Sequence, residues 1–239
     1  MEKEWFERWF GAEYKALYPY RNDAQAADQV KALTQACSAS SSWNILDVGC
    51  GSGRHLRAFR AGGFGQAAGI DLSHVLLRDA RATGVAVAQA DMRQLPFSGA
   101  AFDLLVSFFT SFGYFATRDE DASTLREFCR VVKPGGVLFL DLLNPGPAMR
   151  ALIPHDTHVI DGDTVQVYRS IEGDQVVKKI RCKNGESFFE ERVRLYSLSD
   201  LKMVLENLQL TLVRVFGDEH GSDYIPESSP RMGLLLRKV

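Results

Sequence analysis

Cysteine, repeats, long apolar runs and a surplus of either charge are all scarce in this chain, and each shortage narrows what it can be. The 239 residues hold four cysteines, Cys37, Cys50, Cys129 and Cys182, far apart and in no CxxC or Cys/His cluster. Neither a disulfide framework nor a closed structural zinc site is implied. Lysine plus arginine number 28 against 30 for aspartate plus glutamate, a formal net charge of −2. A protein that tracks a nucleic-acid backbone usually carries a basic surplus instead. Apolar stretches such as Val137–Leu140 fall far short of the roughly twenty residues that a bilayer demands. The start, Met1-Glu2-Lys3-Glu4-Trp5, lacks the basic and then apolar pattern of a secretory leader. With 46% apolar and 24% charged residues, the expectation is a globular, cytoplasmic protein without nucleic-acid or membrane partners.

What is present falls into three textures. Residues 1–43 read as a helical cover: Trp5, Phe6, Trp9, Phe10, Tyr14, Leu17 and Tyr18 recur at spacings of three and four. Pro19 breaks that pattern and a second helix runs from Asp23 to Ala36. Ser38-Ala39-Ser40-Ser41-Ser42 then forms a short linker. From Asn44, short apolar runs alternate with helical segments. Strands are expected at Asn44–Val48, Ala67–Ile70, Val85–Gln89, Phe102–Phe108 and Val137–Leu142, with helices at Arg54–Ala61, Ser73–Thr83 and Glu120–Val132. Lys133-Pro134-Gly135-Gly136 is a stop-and-turn signal. The rhythm is that of βαβ units around a parallel sheet, an α/β fold. It pauses at residues 155–196, where Thr164–Ile171, Gln175–Cys182 and Ser187–Tyr196 read as an antiparallel meander with an Asn184-Gly185 hairpin signal. It resumes with a helix at Ser199–Asn207 and strands at Leu210–Phe216 and Gly233–Lys238. The α/β domain thus spans 44–154 and 197–239, with 155–196 inserted.

The most informative segment is Ile45-Leu46-Asp47-Val48-Gly49-Cys50-Gly51-Ser52-Gly53-Arg54-His55. A buried strand carries an acid near its end, and glycines at alternate positions then open a helix. Glycine lets the backbone turn sharply and approach a ligand, and the helix start offers free N–H groups. A dinucleotide fingerprint requires GxGxxG. Counted from Gly49 the sixth position is Arg54, and from Gly51 it is Leu56, so a nicotinamide site is not indicated.

The alternate-glycine turn behind Asp47 resembles motif I of the class I S-adenosylmethionine-dependent methyltransferases. Further matches follow in order: Asp71 in Gly69-Ile70-Asp71-Leu72, Asp91 in Gln89-Ala90-Asp91-Met92, Phe102-Asp103, and Leu125-Arg126-Glu127 through Lys133-Pro134-Gly135-Gly136. The resemblance covers roughly 44–145. It implies a Rossmann-like, mostly parallel seven-stranded sheet and S-adenosyl-L-methionine as cofactor, with S-adenosyl-L-homocysteine as product. It further implies that Asp47 and the amides of Gly49, Cys50, Gly51 and Gly53 hold the methionine end. Asp71 beside Leu72 would take the ribose hydroxyls, Asp91 beside Met92 the adenine, and Ser107 and Phe108 would lie close by. The segment Val106-Ser107-Phe108-Phe109-Thr110 lacks the Asn/Asp-Pro-Pro-Tyr box of enzymes that methylate base or amide nitrogens. Together with the insertion, it is more similar to small-molecule N-methyltransferases of aminosugar and glycine type, in which a tyrosine and an arginine close over the cofactor. Tyr14 and Arg21 fit those places.

An amine must be neutral when it attacks a methyl group, so a nearby base or acceptor helps. Candidates are Tyr114, His155, Asp156, His158, Tyr168 and His220, none in a diagnostic motif. No metal is expected, since Asp141 is the one obvious strand-end carboxylate. The acceptor is expected to be a small molecule, with the insertion recognising it or its exposed edges pairing a homodimer. The basic positions Arg169, Lys178, Lys179, Arg181, Arg192 and Arg194 could meet an anionic substrate or simply face solvent. A non-catalytic module that binds the cofactor beside a partner subunit would keep the same three acids.

Overall fold

Strands that are apolar at successive positions need cover on both faces, and two helical layers provide it. The computed structural model describes residues 4–18, 21–160, 162–182 and 187–239. The cover holds α1 (Trp5–Trp9), α2 (Ala12–Leu17) and α3 (Asp23–Ala36). Then come β1 (Ile45–Val48), α4 (Arg54–Ala61), β2 (Ala67–Asp71), α5 (His74–Ala82), β3 (Ala86–Gln89) and β4 (Phe102–Ser107). They are followed by α6 (Arg118–Val131), β5 (Val132–Leu143) and α7 (Pro145–Arg150). The insertion supplies β6 (His155–Ile160), β7 (Asp163–Glu172), β8 (Gln175–Cys182) and β9 (Ser187–Arg194). The chain closes with α8 (Leu198–Asn207), β10 (Leu210–Phe216) and β11 (Arg231–Lys238).

The main sheet has seven strands in the order β10-β11-β5-β4-β1-β2-β3. β11 runs antiparallel to both of its neighbours, while the ladders from β5 to β3 are parallel. The expected α/β architecture is therefore present. Alternate side chains go to opposite faces. Ile45, Leu104, Val106 and Phe139 meet Val30, Leu33 and Phe59 of α3 and α4. Leu46, Val48, Leu105 and Leu138 meet Leu125 and Phe128 of α6 and Leu201 and Leu205 of α8. A separate antiparallel sheet, β6-β7-β8-β9, packs Val165, Val167 and Ile180 against Trp9 and Leu17 of the cover.

Several boundaries differ from expectation, each for a local reason. The first helical stretch divides at Phe10-Gly11, because Gly11 takes an extended conformation and caps α2. Helix α6 begins at Arg118, fixed by a capping box in which the Thr117 hydroxyl accepts the Glu120 N–H (3.2 Å) and Glu120 accepts the Thr117 N–H (3.0 Å). β5 starts before the Lys133–Gly136 turn, which the ladder accommodates as a register shift between Val132 and Val137. β6 was not expected, because His155, Asp156, Thr157 and His158 give it little apolar content. The Pro19 break and the Asn184-Gly185 turn lie outside the described residues.

Candidate functional site

Open parallel sheets bind ligands beyond the carboxyl ends of their strands, where the order of connection reverses. Here that point lies between β1, whose chain continues to β2, and β4, which enters on the other side. A cavity of about 310 Å³ sits there, floored by the glycine turn and Asp71 and walled by Phe6, Phe10 and Tyr14 of the cover.

The floor is set by backbone geometry. Gly49, Gly51 and Gly53 all have positive φ, 75°, 53° and 77°, a region that disfavours any residue with a Cβ. A Cβ on Gly49 would also stand 2.7 Å from Ser111 Cβ. The Gly49 and Cys50 N–H groups both donate to the Ile70 carbonyl at 2.8 and 2.9 Å, tying the turn to β2. Asp71 receives the Gly51 N–H on Oδ2 and the Ser73 N–H on Oδ1, each at 2.8 Å. Burial raises the Asp71 pKa, against the pull of those hydrogen bonds. Asp47, 1% exposed, lies behind the turn and does not line the cavity. Its Oδ2 has no hydrogen-bond partner among the described residues. Burial pushes its carboxyl up to about 7, with Arg54 opposing and Asp71 adding to the rise.

At the third acid the arrangement departs from a simple acceptor. Asp91, with Leu72 and Met92, lines the cavity, but both its oxygens are gripped by Arg93, whose Nη2 donates to Oδ2 at 2.7 Å and Nε to Oδ1 at 3.1 Å. Arg93 also reaches Oε1 of Glu4 at 2.8 Å, bridging the cover to the sheet. Burial would raise the Asp91 carboxyl, yet the Arg93 hydrogen bonds outweigh it and hold it low.

Another part of the lining is cationic and aromatic. Arg21 donates to the Tyr14 hydroxyl, and its guanidinium lies over the rings of Tyr18 (4.2 Å) and Phe109 (4.9 Å). Arg54 lies 4.2 Å over the other arginine's Phe109 platform and donates to Gln25 Oε1 at 3.1 Å. Its pKa is lowered to about 10, first by burial and then by Arg21. Burial raises the Tyr14 hydroxyl to about 12. His55 stacks on Phe108 at 4.0 Å, places Nε2 2.8 Å from Gln29 Oε1, and is kept neutral by burial. Sequence reasoning missed Arg54 and His55 as site residues. Their adjacency to the glycine turn was the available signal.

Of the catalytic candidates, Tyr114 lines the cavity and His155, His158, Tyr168 and His220 do not. Burial holds the Tyr114 hydroxyl well above its ordinary pKa. His155 stacks on Tyr168 at 4.5 Å within the insertion, and His158 approaches Asp156 at 3.3 Å. His220 lies beside Asp28 at 4.0 Å. Gly53 and Ser107 are buried beneath the floor and do not reach the cavity. Asp141, considered above as a strand-end metal ligand, is bound instead by Arg231 and by the Phe109 N–H. The basic positions of the insertion are largely neutralised: Arg169 pairs with Asp156, Lys178 with Glu191, Lys179 and Arg192 with Glu172, and Arg194 lies buried beside Asp121.

A family described as a methyltransferase domain matches residues 45–136. Over 117 residues the chain is 36% identical to the dTDP-3-amino-3,4,6-trideoxy-alpha-D-glucopyranose N,N-dimethyltransferase of Streptomyces venezuelae, covering 48% of this chain and 46% of that one. It is also 30% identical over 127 residues to a tRNA (carboxymethyluridine(34)-5-O)-methyltransferase of Arabidopsis thaliana, covering 53% and 30%. The chain thus spans less than half the length of these curated relatives. In fold it resembles an S-adenosylmethionine-bound amino pentose methyltransferase of Micromonospora echinaspora, with TM-score 0.69 and 22% identity over the whole of both chains. None of its described helices is long and apolar enough to cross a membrane.

Proposed function

Since the chain carries a methyltransferase domain over residues 45–136 and the fold of the S-adenosylmethionine-dependent enzymes, we propose that it moves the methyl group of S-adenosylmethionine to the amine of a small-molecule acceptor. One observation carries the reading: a left-handed glycine turn and a carboxylate meet on the floor of a cavity at the reversal of strand order.

The residues present fit the cofactor. Each oxygen of Asp71 accepts one backbone N–H and keeps capacity for a ligand hydroxyl. Gly49 and Gly51 leave bare backbone where a ligand must come close. Asp47, buried behind the turn with its Oδ2 unpartnered among the described residues, does not line the cavity and acts on a cationic ligand there only through space. When bound, the cofactor supplies an electrophilic methyl on a sulfonium. The chain's own work is then to align two reactants and exclude water. Phe6, Phe10, Tyr14, Tyr114 and Phe115 give the cavity an aromatic wall, whose ring faces accept a cation at little desolvation cost. The Tyr114 hydroxyl is protonated at neutral pH, as any tyrosine is, and burial raises its pKa further, so it orients an acceptor rather than deprotonating it.

An amine acceptor is supported by the amino-sugar relative from Streptomyces venezuelae. A tRNA acceptor, in the manner of the Arabidopsis relative, is disfavoured by the pairing of the insertion's cations with acids. Residues 155–196, on this reading, shape acceptor choice from behind, through the cover helices on which they pack.

Calorimetry tests the reading. Binding of S-adenosylhomocysteine with no response to NAD supports it, and the reverse overturns it. Cofactor binding without methylation of any amine in a panel of amino sugars and small amino acids would favour the non-catalytic module.

A further inference from the structure

Phe109 and Thr110 stand side by side in the left-handed region, with φ of 57° and 58°. Two consecutive residues with Cβ atoms keep that conformation only where their surroundings over-determine it. Here they do. The Phe109 N–H donates to Oδ2 of Asp141 at 2.9 Å, and the Thr110 N–H to the Asp141 carbonyl at 2.8 Å. Arg231, from the start of β11, donates Nε to Oδ1 of Asp141 at 2.8 Å. Its Nη2 reaches Thr110 Oγ1 at 2.8 Å and the Asp141 carbonyl at 3.2 Å. Both carboxylate oxygens and the carbonyl of a residue only 5% exposed are therefore engaged in fixing one loop and its clamp.

The loop brings the Phe109 side chain to the cavity wall between those of Phe108 and Ser111. The ring of Phe109 carries the guanidinium of Arg54 at 4.2 Å and that of Arg21 at 4.9 Å. Two like charges brought together in a partly buried site repel, and an aromatic face beneath them lowers that cost. The pair lines the same cavity as the acids Asp71 and Asp91. A ligand with hydroxyls at one end and a carboxylate at the other has its polarity matched by this arrangement.

We propose that Asp141 and Arg231 are positioning residues. By holding Phe109 in the left-handed conformation they make its ring the platform that sets Arg21 and Arg54 for a ligand carboxylate. The proposal rests on the cofactor reading above and identifies that carboxylate as the one on the cofactor's amino-acid end. A loop staple with no such role would affect every ligand of the cavity alike, which separates the two accounts.

The test compares S-adenosylhomocysteine with 5′-methylthioadenosine, which lacks the amino-acid group, by calorimetry on the full chain. Phe109→Leu keeps apolar bulk on the cavity wall but removes the ring face, and Phe109→Tyr restores it. Arg231→Lys keeps the charge but cannot reach Asp141 and Thr110 together. We expect Phe109→Leu and Arg231→Lys to weaken S-adenosylhomocysteine by about five- to tenfold. Methylthioadenosine should stay within about twofold of its wild-type affinity, since it has no carboxylate for Arg21 and Arg54 to hold, and Phe109→Tyr should recover the loss. Equal losses for both ligands, or unchanged binding of both, overturn the proposal. Should Arg231→Lys fail to fold, Phe109→Leu and Phe109→Tyr decide alone. A wild-type chain that binds methylthioadenosine and S-adenosylhomocysteine equally also overturns it, whereas one that binds neither overturns the cofactor reading itself.

Discussion

In the seven-stranded sheet the strand ends face a cavity, whereas the four-stranded sheet of residues 155–194 presents its residues to solvent or to the back of α1 and α2. The first sheet works through its backbone. Left-handed glycines and donated N–H groups form its floor, and one acid is held between two of them. The second works through side chains at a distance. Glu191 accepts hydrogen bonds from Trp9 Nε1 and the Tyr18 hydroxyl at 3.2 Å each, and Lys178 completes the cluster. Burial would raise the Glu191 carboxyl, but Lys178 and then Arg21 hold it low. The difference teaches that a change in the first sheet should abolish cofactor binding, while a change in the second should adjust it.

The sharpest break would come at Gly49. Gly49→Ala forces a Cβ into a left-handed residue and to within 2.7 Å of Ser111 Cβ. The combined strain and overpacking, about 3 kcal/mol, predicts a loss of S-adenosylhomocysteine affinity of about a hundredfold or more, measured by calorimetry beside a thermal melt. Asp71→Ala comes next, with at least about a tenfold loss, since charge-assisted hydrogen bonds are worth about 1.5–3 kcal/mol each. Because Asp71 also holds Gly51 and Ser73, its melting temperature should fall too, and Asp71→Asn should recover part of that fall.

A pH series probes Asp47. Its pKa near 7 in the free chain means it is mostly protonated below that value. A cationic ligand in the neighbouring cavity favours the ionised form through space, so binding must release a proton. Affinity should therefore rise between pH 6 and pH 7 and level off above, and Asp47→Asn should flatten the profile. The sign for folding is opposite: an acid whose pKa is raised by burial favours the folded state only while protonated. Its contribution to stability fades as pH climbs from its unfolded pKa of about 4 toward 7. Smallest are the effects in the second sheet. Glu191→Gln should weaken S-adenosylhomocysteine by about threefold or less, as a neutral hydrogen bond replaces a charged one, and should speed amide exchange in residues 5–17. Tyr168→Ala, on the exposed face, should leave affinity unchanged. A fall in mass by light scattering with activity intact would assign that face to a homodimer.

The contrast between the sheets also explains what could be read from sequence. Gly49 was legible because a sharp turn after a strand needs glycine, whatever lies elsewhere, whereas Asp71 was marked by resemblance. Tyr14 and Arg21 were legible through resemblance alone. The Asp141–Arg231 clamp was not, because its partners lie 90 residues apart and meet only when β11 inserts beside β5. Asp91 was half legible. Its position was marked by resemblance, but the Arg93 bridge that joins it to Glu4 depends on how the cover folds over the sheet. The insertion was expected to recognise the acceptor; none of its described residues lines the cavity, and it packs on α1 and α2, whose aromatic stripe supplies Phe6, Phe10 and Tyr14 to the cavity wall.

That stripe gives the molecule an optical signature. Of its three tryptophans, Trp5 stands 5.1 Å from Tyr114 and Trp9 is wholly buried with its indole N–H on Glu191. Trp43 instead packs into the opposite core, beneath the main sheet. Indole emission shifts with the polarity of its surroundings, so Trp5, one ring behind the cavity wall at Tyr114, is the emitter placed to respond to a ligand, while the half-buried Trp43 lies in a separate core. Filling the cavity becomes visible as a change of colour in the unlabelled chain, before any methyl group has moved.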